Sequence, residues 1–138
     1  MAGAVDPTRE QFDAFKALPR DQPILMLNLI RLKAAATYPD GRQATGAEAY
    51  AAYGETSLKI FQRVGGSIVW RGEPQTVVIG PEAEAWDLAF IARYPNAGSF
   101  MEMLTDPDYQ KAVVNRQAAV EDSRLIRMAE LPLSDRFA

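Results

Sequence analysis

The sequence contains no cysteine and no histidine, and these two absences exclude several kinds of functional site. Disulfides, thiolate nucleophiles, Ser-His-Asp triads and a haem held by a proximal histidine are impossible within one such chain. A zinc site of the usual kind needs the same side chains. Another metal would need oxygen ligands, and the chain shows no clustered carboxylate motif. The sequence therefore predicts no metal and no cofactor, and any acid or base must be Asp, Glu, Lys, Tyr or a terminal amine.

Long apolar runs and a strong excess of one charge are also missing. No run approaches the ~20 apolar residues of a membrane span. The formal net charge is −3, without a basic stripe, so neither a membrane nor nucleic acid is expected as a partner. Residues 1–12 show no secretory signal, which predicts a cytoplasmic location. With 138 residues, 48% of them hydrophobic and 24% charged, the sequence is typical of one globular domain.

The most apolar stretch is Pro23–Lys33, PILMLNLIRLK, with Asn28 in its middle. As a strand it has two faces. One face carries Leu25, Leu27 and Leu29, and the other carries Ile24, Met26, Asn28, Ile30 and Leu32. Because both faces are apolar, we expect both to be covered. A buried helix is the competing interpretation, since short apolar runs discriminate poorly between the two.

Capping and turn residues divide the rest of the chain into helices and strands. Helices are expected from Asp6 to Leu18, from Thr45 or Gly46 to Val64, after Pro95-Asn96, and again from Asp106-Pro107. Strands are expected at Ser67–Arg71, Gln75–Ile79, Ala85–Tyr94 and Arg124–Leu131. The order βαββαβ predicts a ferredoxin-like α+β domain, a four-stranded antiparallel sheet with its helices on one face. Residues 1–22 would be an N-terminal helical extension and residues 23–138 the domain.

The second apolar face of the sheet predicts a partner. Two helices cover only one face, so Ile24, Met26, Ile30 and Leu32 are expected to form an apolar patch on the other. A second copy of the chain, packed sheet against sheet, would cover that patch. The sequence therefore predicts a homodimer of the dimeric α+β-barrel type.

Several stretches carry a resemblance to a known family: MLNLIRLK, GAEAYAAYGE, RVGGSIVWRG, RYPNAGSFMEMLTDPDYQKA and AAVEDSRLI. Over about Pro23–Met128 the chain resembles small bacterial proteins known only as a domain of unknown function within the dimeric α+β-barrel superfamily. The superfamily implies the fold and the dimer, and it contains cofactor-free monooxygenases, muconolactone isomerases, haem-handling enzymes, and dehalogenating or decarboxylating relatives. Some relatives carry a histidine near the segment that matches Val113–Arg116. This chain has Asn115 there, which counts against histidine chemistry.

The candidate site residues are polar or aromatic side chains near strand ends and on helix faces. A mid-strand amide such as Asn28 either orients a ligand or is a satisfied structural group. The candidate ligand-binding residues are Asn28, Arg31, Tyr50, Trp70, Arg93 and Arg116, and the candidate catalytic residues are Asn28, Asp87 and Glu121. Alternatively, the arginines form ion pairs with Asp87 or Glu121, and tyrosines such as Tyr53 and Tyr109 belong to the core.

Three functions remain open at this point. The chain could be a cofactor-independent enzyme acting on a small metabolite, a non-catalytic dimer that binds small molecules, or a purely structural protein. A cavity above ~300 Å³ near Asn28, Trp70 and an arginine would favour the first two. A closed core with Asn28 bonded internally would favour the third.

Overall fold

Eight regular elements follow one another in the computed structural model, which describes residues 3–138. They are α1 (Arg9–Ala17), β1 (Ile24–Leu32), α2 (Gly46–Arg63), β2 (Ser67–Gly72), β3 (Leu88–Tyr94), α3 (Ala97–Thr105), α4 (Pro107–Ala119) and β4 (Val120–Met128). The strands form one antiparallel sheet in the order β2-β3-β1-β4. This is the ferredoxin-like arrangement, so the predicted fold class is confirmed.

Side-chain caps fix where the helices begin. Thr8 and Thr45 each form a capping box at α1 and α2, in which the side chain three residues later bonds back to the cap. Asn96 caps α3, and Asp106 accepts hydrogen bonds from the first turn of α4. The predicted starts of α2, α3 and α4 are confirmed, whereas Thr8 and not Asp6 caps α1.

The two faces of β1 are the reverse of the prediction. Ile24, Met26 and Ile30 are at most 3% exposed, and the first two belong to the core cluster with Phe100 of α3 and Tyr109 of α4. The even-numbered residues therefore lie under the helices, and the three leucines lie on the uncovered side. The alternation separates the two sets, but when both are apolar it does not say which set meets the helices.

The uncovered side of the sheet is called the open face below. Strand register places the following residues on it: Leu25, Leu27, Leu29, Trp70, Ile91, Arg93, Ile126 and Met128. Trp70 is 52% exposed and Ile126 is 48% exposed. An apolar strip thus runs across all four strands, as the sequence predicted, but it consists of other β1 residues than expected.

One predicted strand is absent, and two others have different bounds. Gln75–Ile79 is not a strand, and Val78 and Ile79 are 86% and 95% exposed. These β-branched residues have strand propensity but no neighbouring strand with which to pair. β3 starts at Leu88, three residues later than expected, and β4 is Val120–Met128. The polar start of β4 is a strand because Asp122 pairs with Arg31 of β1.

The predicted N-terminal extension packs on the domain, apart from residues 1 and 2, which lie outside the described chain. The Phe15 ring lies 5.3 Å from the Phe100 ring. Arg127 of β4 donates hydrogen bonds to the carbonyl oxygens of Phe15 at 3.2 Å and Pro19 at 2.6 Å. Among residues 3–138, no helix has the length and apolarity that would let it cross a membrane.

Candidate functional site

A cavity of about 760 Å³ lies between the helices and the helix-covered face of the sheet. Its lining includes nine aromatic residues, which come from every helix and from β3: Phe12, Phe15, Tyr50, Tyr53, Phe61, Phe90, Tyr94, Phe100 and Tyr109. Ligand sites in proteins typically have volumes of about 300–1,000 Å³ and apolar walls with few polar groups. The space therefore fits an organic molecule of the size of a typical metabolite.

The floor of the cavity is the even-numbered face of β1. The two-residue period of the strand aims Met26 and Asn28 at the helices, and Asn28 lies between Phe90 of β3 and Leu125 of β4. The Asn28 amide Nδ2 donates to the Met26 carbonyl oxygen at 3.1 Å. The Asn28 Oδ1 has no hydrogen-bond partner in the part of the chain that the structure describes. Asn28 is thus anchored at one end and presents an acceptor to the cavity.

Three of the four tyrosines in the cavity lining, Tyr50, Tyr53 and Tyr109, lie close together. The Tyr53 and Tyr109 hydroxyl oxygens are 2.7 Å apart, and the Tyr50 ring lies 5.5 Å from the Tyr53 ring. Burial raises the pKa of all three hydroxyls, while the positive charge of Arg116 acts in the opposite direction. All three are therefore protonated at neutral pH and can donate hydrogen bonds.

The cavity lining contains the charged residues Asp6, Arg71, Arg116, Arg124 and Arg127, and the charge of Arg116 on α4 acts on the three tyrosines. The Arg116 guanidinium donates from Nη1 to the Val5 carbonyl oxygen at 2.5 Å and from Nη2 to the Ser123 Oγ at 3.3 Å. The Ser123 hydroxyl in turn donates to the Ala4 carbonyl oxygen at 2.7 Å. Within residues 3–138, no carboxylate lies within ion-pair distance of Arg116. Arg116 is thus half-buried, hydrogen-bonded only to neutral groups, and not neutralised.

The structure brings three of the predicted site residues together in the cavity, namely Asn28, Tyr50 and Arg116. Trp70 and Arg93 lie on the open face instead. Trp70 lies there because β2 has a β-bulge between Ile68 and Trp70. The extra residue turns Trp70 to the side of the sheet opposite Ile68. Arg93 has no ion pair among the described residues.

The remaining predicted residues form contacts outside the cavity. Arg31 lies 3.7 Å from Glu121 and 3.5 Å from Asp122, so it takes the ion-pair alternative with Glu121. It also donates to the Ala83 carbonyl oxygen at 2.8 Å. Asp87 accepts from the Leu32 amide at 2.8 Å. Within residues 3–138, no group of acidic side chains is placed to hold a metal ion.

Two parts of the site were missing from the predicted set. Ser123 precedes the predicted strand, which starts at Arg124. Because β4 in fact starts at Val120, Ser123 belongs to the strand, and the two-residue period places it on the cavity side. Phe12 and Phe15 lie on the predicted first helix, but the sequence carries no local signal for where α1 packs. The pair Tyr53 and Tyr109 was expected in the core and does belong to it, while also lining the cavity.

Comparison with known proteins relates most of the chain to proteins of unknown function. A family model described as a domain of unknown function, DUF1330, matches residues 42–129. RPA0582, a protein of unknown function from Rhodopseudomonas palustris and a structural genomics target, is 54% identical, with a TM-score of 0.90 over 95% of this chain and 99% of that chain. Methylated RPA0582 is 55% identical, with a TM-score of 0.92 over 96% of this chain and 98% of that chain.

A more distant structure shares the fold alone. SnoaB, a cofactor-independent oxygenase from Streptomyces nogalater, is 13% identical, with a TM-score of 0.53 over 83% of this chain and 99% of that chain. At this identity the likeness supports the ferredoxin-like fold. No curated protein matches the sequence.

Proposed function

Because this chain belongs to the DUF1330 family, a domain of unknown function, we propose a function from its cavity: binding of a small organic anion with an apolar body. The observation that carries the proposal is Arg116, a half-buried cation in the lining of a mostly apolar cavity, with no carboxylate within ion-pair distance among residues 3–138. The apolar body of the ligand would lie against the aromatic wall, and its anionic group would face Arg116.

The chemistry of the wall fits such a ligand. A buried charge is costly unless it is paired, so a ligand carboxylate beside Arg116 removes that cost and can form a bidentate contact. The Tyr50 hydroxyl, which has no partner among the described residues, adds a neutral donor, and Asn28 adds an acceptor. These few polar groups fix the orientation of the ligand, while the rings supply most of the buried contact area.

The test compares a bicyclic carboxylate with a neutral molecule of nearly the same shape. We expect the protein to bind naphthoate about tenfold more tightly than naphthalenemethanol in isothermal titration calorimetry, a difference of about 1.4 kcal/mol. Equal affinity for the two would contradict the anionic part of the proposal. Failure of both to bind would contradict the cavity as a ligand site.

Turnover of the ligand is the second candidate function, and the hydroxyl pair of Tyr53 and Tyr109 favours it. One hydroxyl donates to the other at 2.7 Å, so the pair keeps one proton that it can donate to a bound molecule. SnoaB, which shares this fold, is a cofactor-independent oxygenase. Mass spectrometry of a bound ligand after incubation in air separates the candidates: a product supports an enzyme, and unchanged ligand supports binding alone.

We also propose that two copies of the chain pair through their open faces. The strip of Leu25, Leu27, Leu29, Trp70, Ile91, Ile126 and Met128 is too apolar to remain in water without a partner. A second copy offers the same strip, and a two-fold axis places like surfaces against each other. The cavity lies mainly on the other side of the sheet, and of this strip only Ile126 also belongs to the cavity lining.

A charge in the middle of the open face should separate the two copies. We expect Ile126→Asp to shift the protein from dimer to monomer in sedimentation equilibrium at micromolar concentration, because an unpaired carboxylate in an apolar interface is costly. Leu58→Asp is the control, since Leu58 on α2 is 47% exposed against 48% for Ile126 and lies on the helix side. A wild-type monomer, or equal dissociation by both variants, would argue against the open-face dimer.

A further inference from the structure

The two contacts that hold Arg116 come from the N-terminal segment, far away in sequence, and from the nearby start of β4. The Val5 carbonyl oxygen and the Ser123 Oγ accept hydrogen bonds from its guanidinium. Ser123 also donates to the Ala4 carbonyl oxygen at 2.7 Å, and the Ala4 amide donates to the Asp122 carboxylate at 2.9 Å. The N-terminal backbone, β4 and Arg116 thus form one connected hydrogen-bond network.

We infer that Ser123 and the backbone of Ala4 and Val5 position Arg116 for the ligand, which makes the N-terminal segment a part of the binding site. This inference rests on the proposed function. Ser123 and the Val5 carbonyl act through Arg116, so they are positioning groups, and they do not need to touch the ligand themselves.

The neutrality of these partners is the central physical point. A long arginine side chain without fixed contacts turns its head group towards water. A carboxylate partner would hold it in place but would also cancel the charge that attracts an anion. A carbonyl and a hydroxyl hold the guanidinium without cancelling its charge, and further N–H groups of the guanidinium remain for a ligand. The network therefore fits a cation that is held ready for an anion.

Ser123 connects the N-terminal segment to the Arg116 guanidinium. It is 6% exposed and faces the helix side of β4, opposite Ile30. Its oxygen accepts from Arg116 while its proton goes to Ala4, so one hydroxyl joins the N-terminal segment to the guanidinium. Removing that hydroxyl breaks both contacts at once and leaves Val5 as the remaining partner of Arg116.

The test is the ratio of naphthoate affinity to naphthalenemethanol affinity in Ser123→Ala. We expect naphthoate to bind about tenfold more weakly, because one charge-assisted contact loses its geometry, and naphthalenemethanol to bind as in the wild type. Ser99→Ala is the control, since Ser99 does not line the cavity and its hydroxyl donates to the Asn96 Oδ1 at 3.1 Å at the start of α3. Ser123→Thr, which keeps a hydroxyl, should restore the ratio.

The possible outcomes separate positioning from a merely structural role. A fall in the ratio that Ser99→Ala does not show and Ser123→Thr restores supports the inference. Equal weakening of both ligands, or an unchanged ratio, overturns it while the proposed function stands. If naphthoate does not bind the wild-type protein, the proposed function fails, and this inference fails with it.

Discussion

Replacing Arg116 with glutamine should weaken naphthoate binding by about 100-fold and change naphthalenemethanol binding by less than about threefold. Hydrogen bonds to charged groups contribute about 1.5–3 kcal/mol when they are formed away from water. Glutamine keeps a hydrogen-bond donor and much of the bulk, so the change removes mainly the charge. Arg116→Lys should lose about tenfold, because an ammonium keeps the charge but cannot form the bidentate fork. Calorimetric titration of the three proteins measures the series.

Arg93→Gln is the control for the Arg116 series. Arg93 also lacks an ion pair among the described residues, but it lies on the open face and not in the cavity. The variant should bind naphthoate as the wild type does. If Arg93→Gln loses binding and Arg116→Gln retains it, the ligand site is on the other side of the sheet and the cavity proposal is wrong.

The binding should also show little pH dependence between about pH 6 and about pH 9. Arginine side chains in proteins are always protonated in this range. Burial raises the pKa of Tyr50, Tyr53 and Tyr109, so these hydroxyls remain protonated as well.

Local signals in the sequence were enough for most elements of the fold. The caps Thr45, Asn96 and Asp106 mark helix starts by short-range hydrogen bonds that their own neighbours complete. Strands need a partner distant in the sequence, so the prediction was weaker there. The segment Gln75–Ile79 shows the difference, since its β-branched residues favour a strand but no other segment pairs with it.

The candidate site was harder to predict because it depends on which faces meet. Periodicity showed that Asn28 and Tyr50 belong to one face of their own elements, but the meeting of those faces is a property of the whole domain. A single inserted residue in β2 was enough to move Trp70 to the opposite side of the sheet. The contact of Ser123 and Arg116 with the N-terminal backbone spans more than a hundred positions, and no local pattern encodes it.

Gly46→Ala should be among the most damaging single changes in the chain, lowering the free energy of unfolding by about 3 kcal/mol. A Cβ at Gly46 would lie 1.9 Å from the Lys33 carbonyl oxygen and 2.9 Å from the Lys33 N and C atoms. These are all backbone atoms, so no side-chain rotation relieves the clash. The Gly46 amide also donates to the Ala34 carbonyl oxygen at 3.3 Å, which fixes the start of α2 against the end of β1. Urea unfolding followed by circular dichroism measures the change.

Gly54→Ala in the same helix makes the clash argument testable. Nothing lies within 4 Å of a Cβ at Gly54, and alanine is favoured over glycine in a helix interior by about 1 kcal/mol. We therefore expect this variant to be more stable than the wild type, although the chemical change is the same. If both variants changed stability equally, the backbone at the β1–α2 junction would have shifted to accommodate the extra methyl group, and the clash argument would be wrong. A loss confined to Gly46→Ala would show that the close approach of Gly46 to Lys33 holds β1, which carries Asn28, against α2, which carries Tyr50.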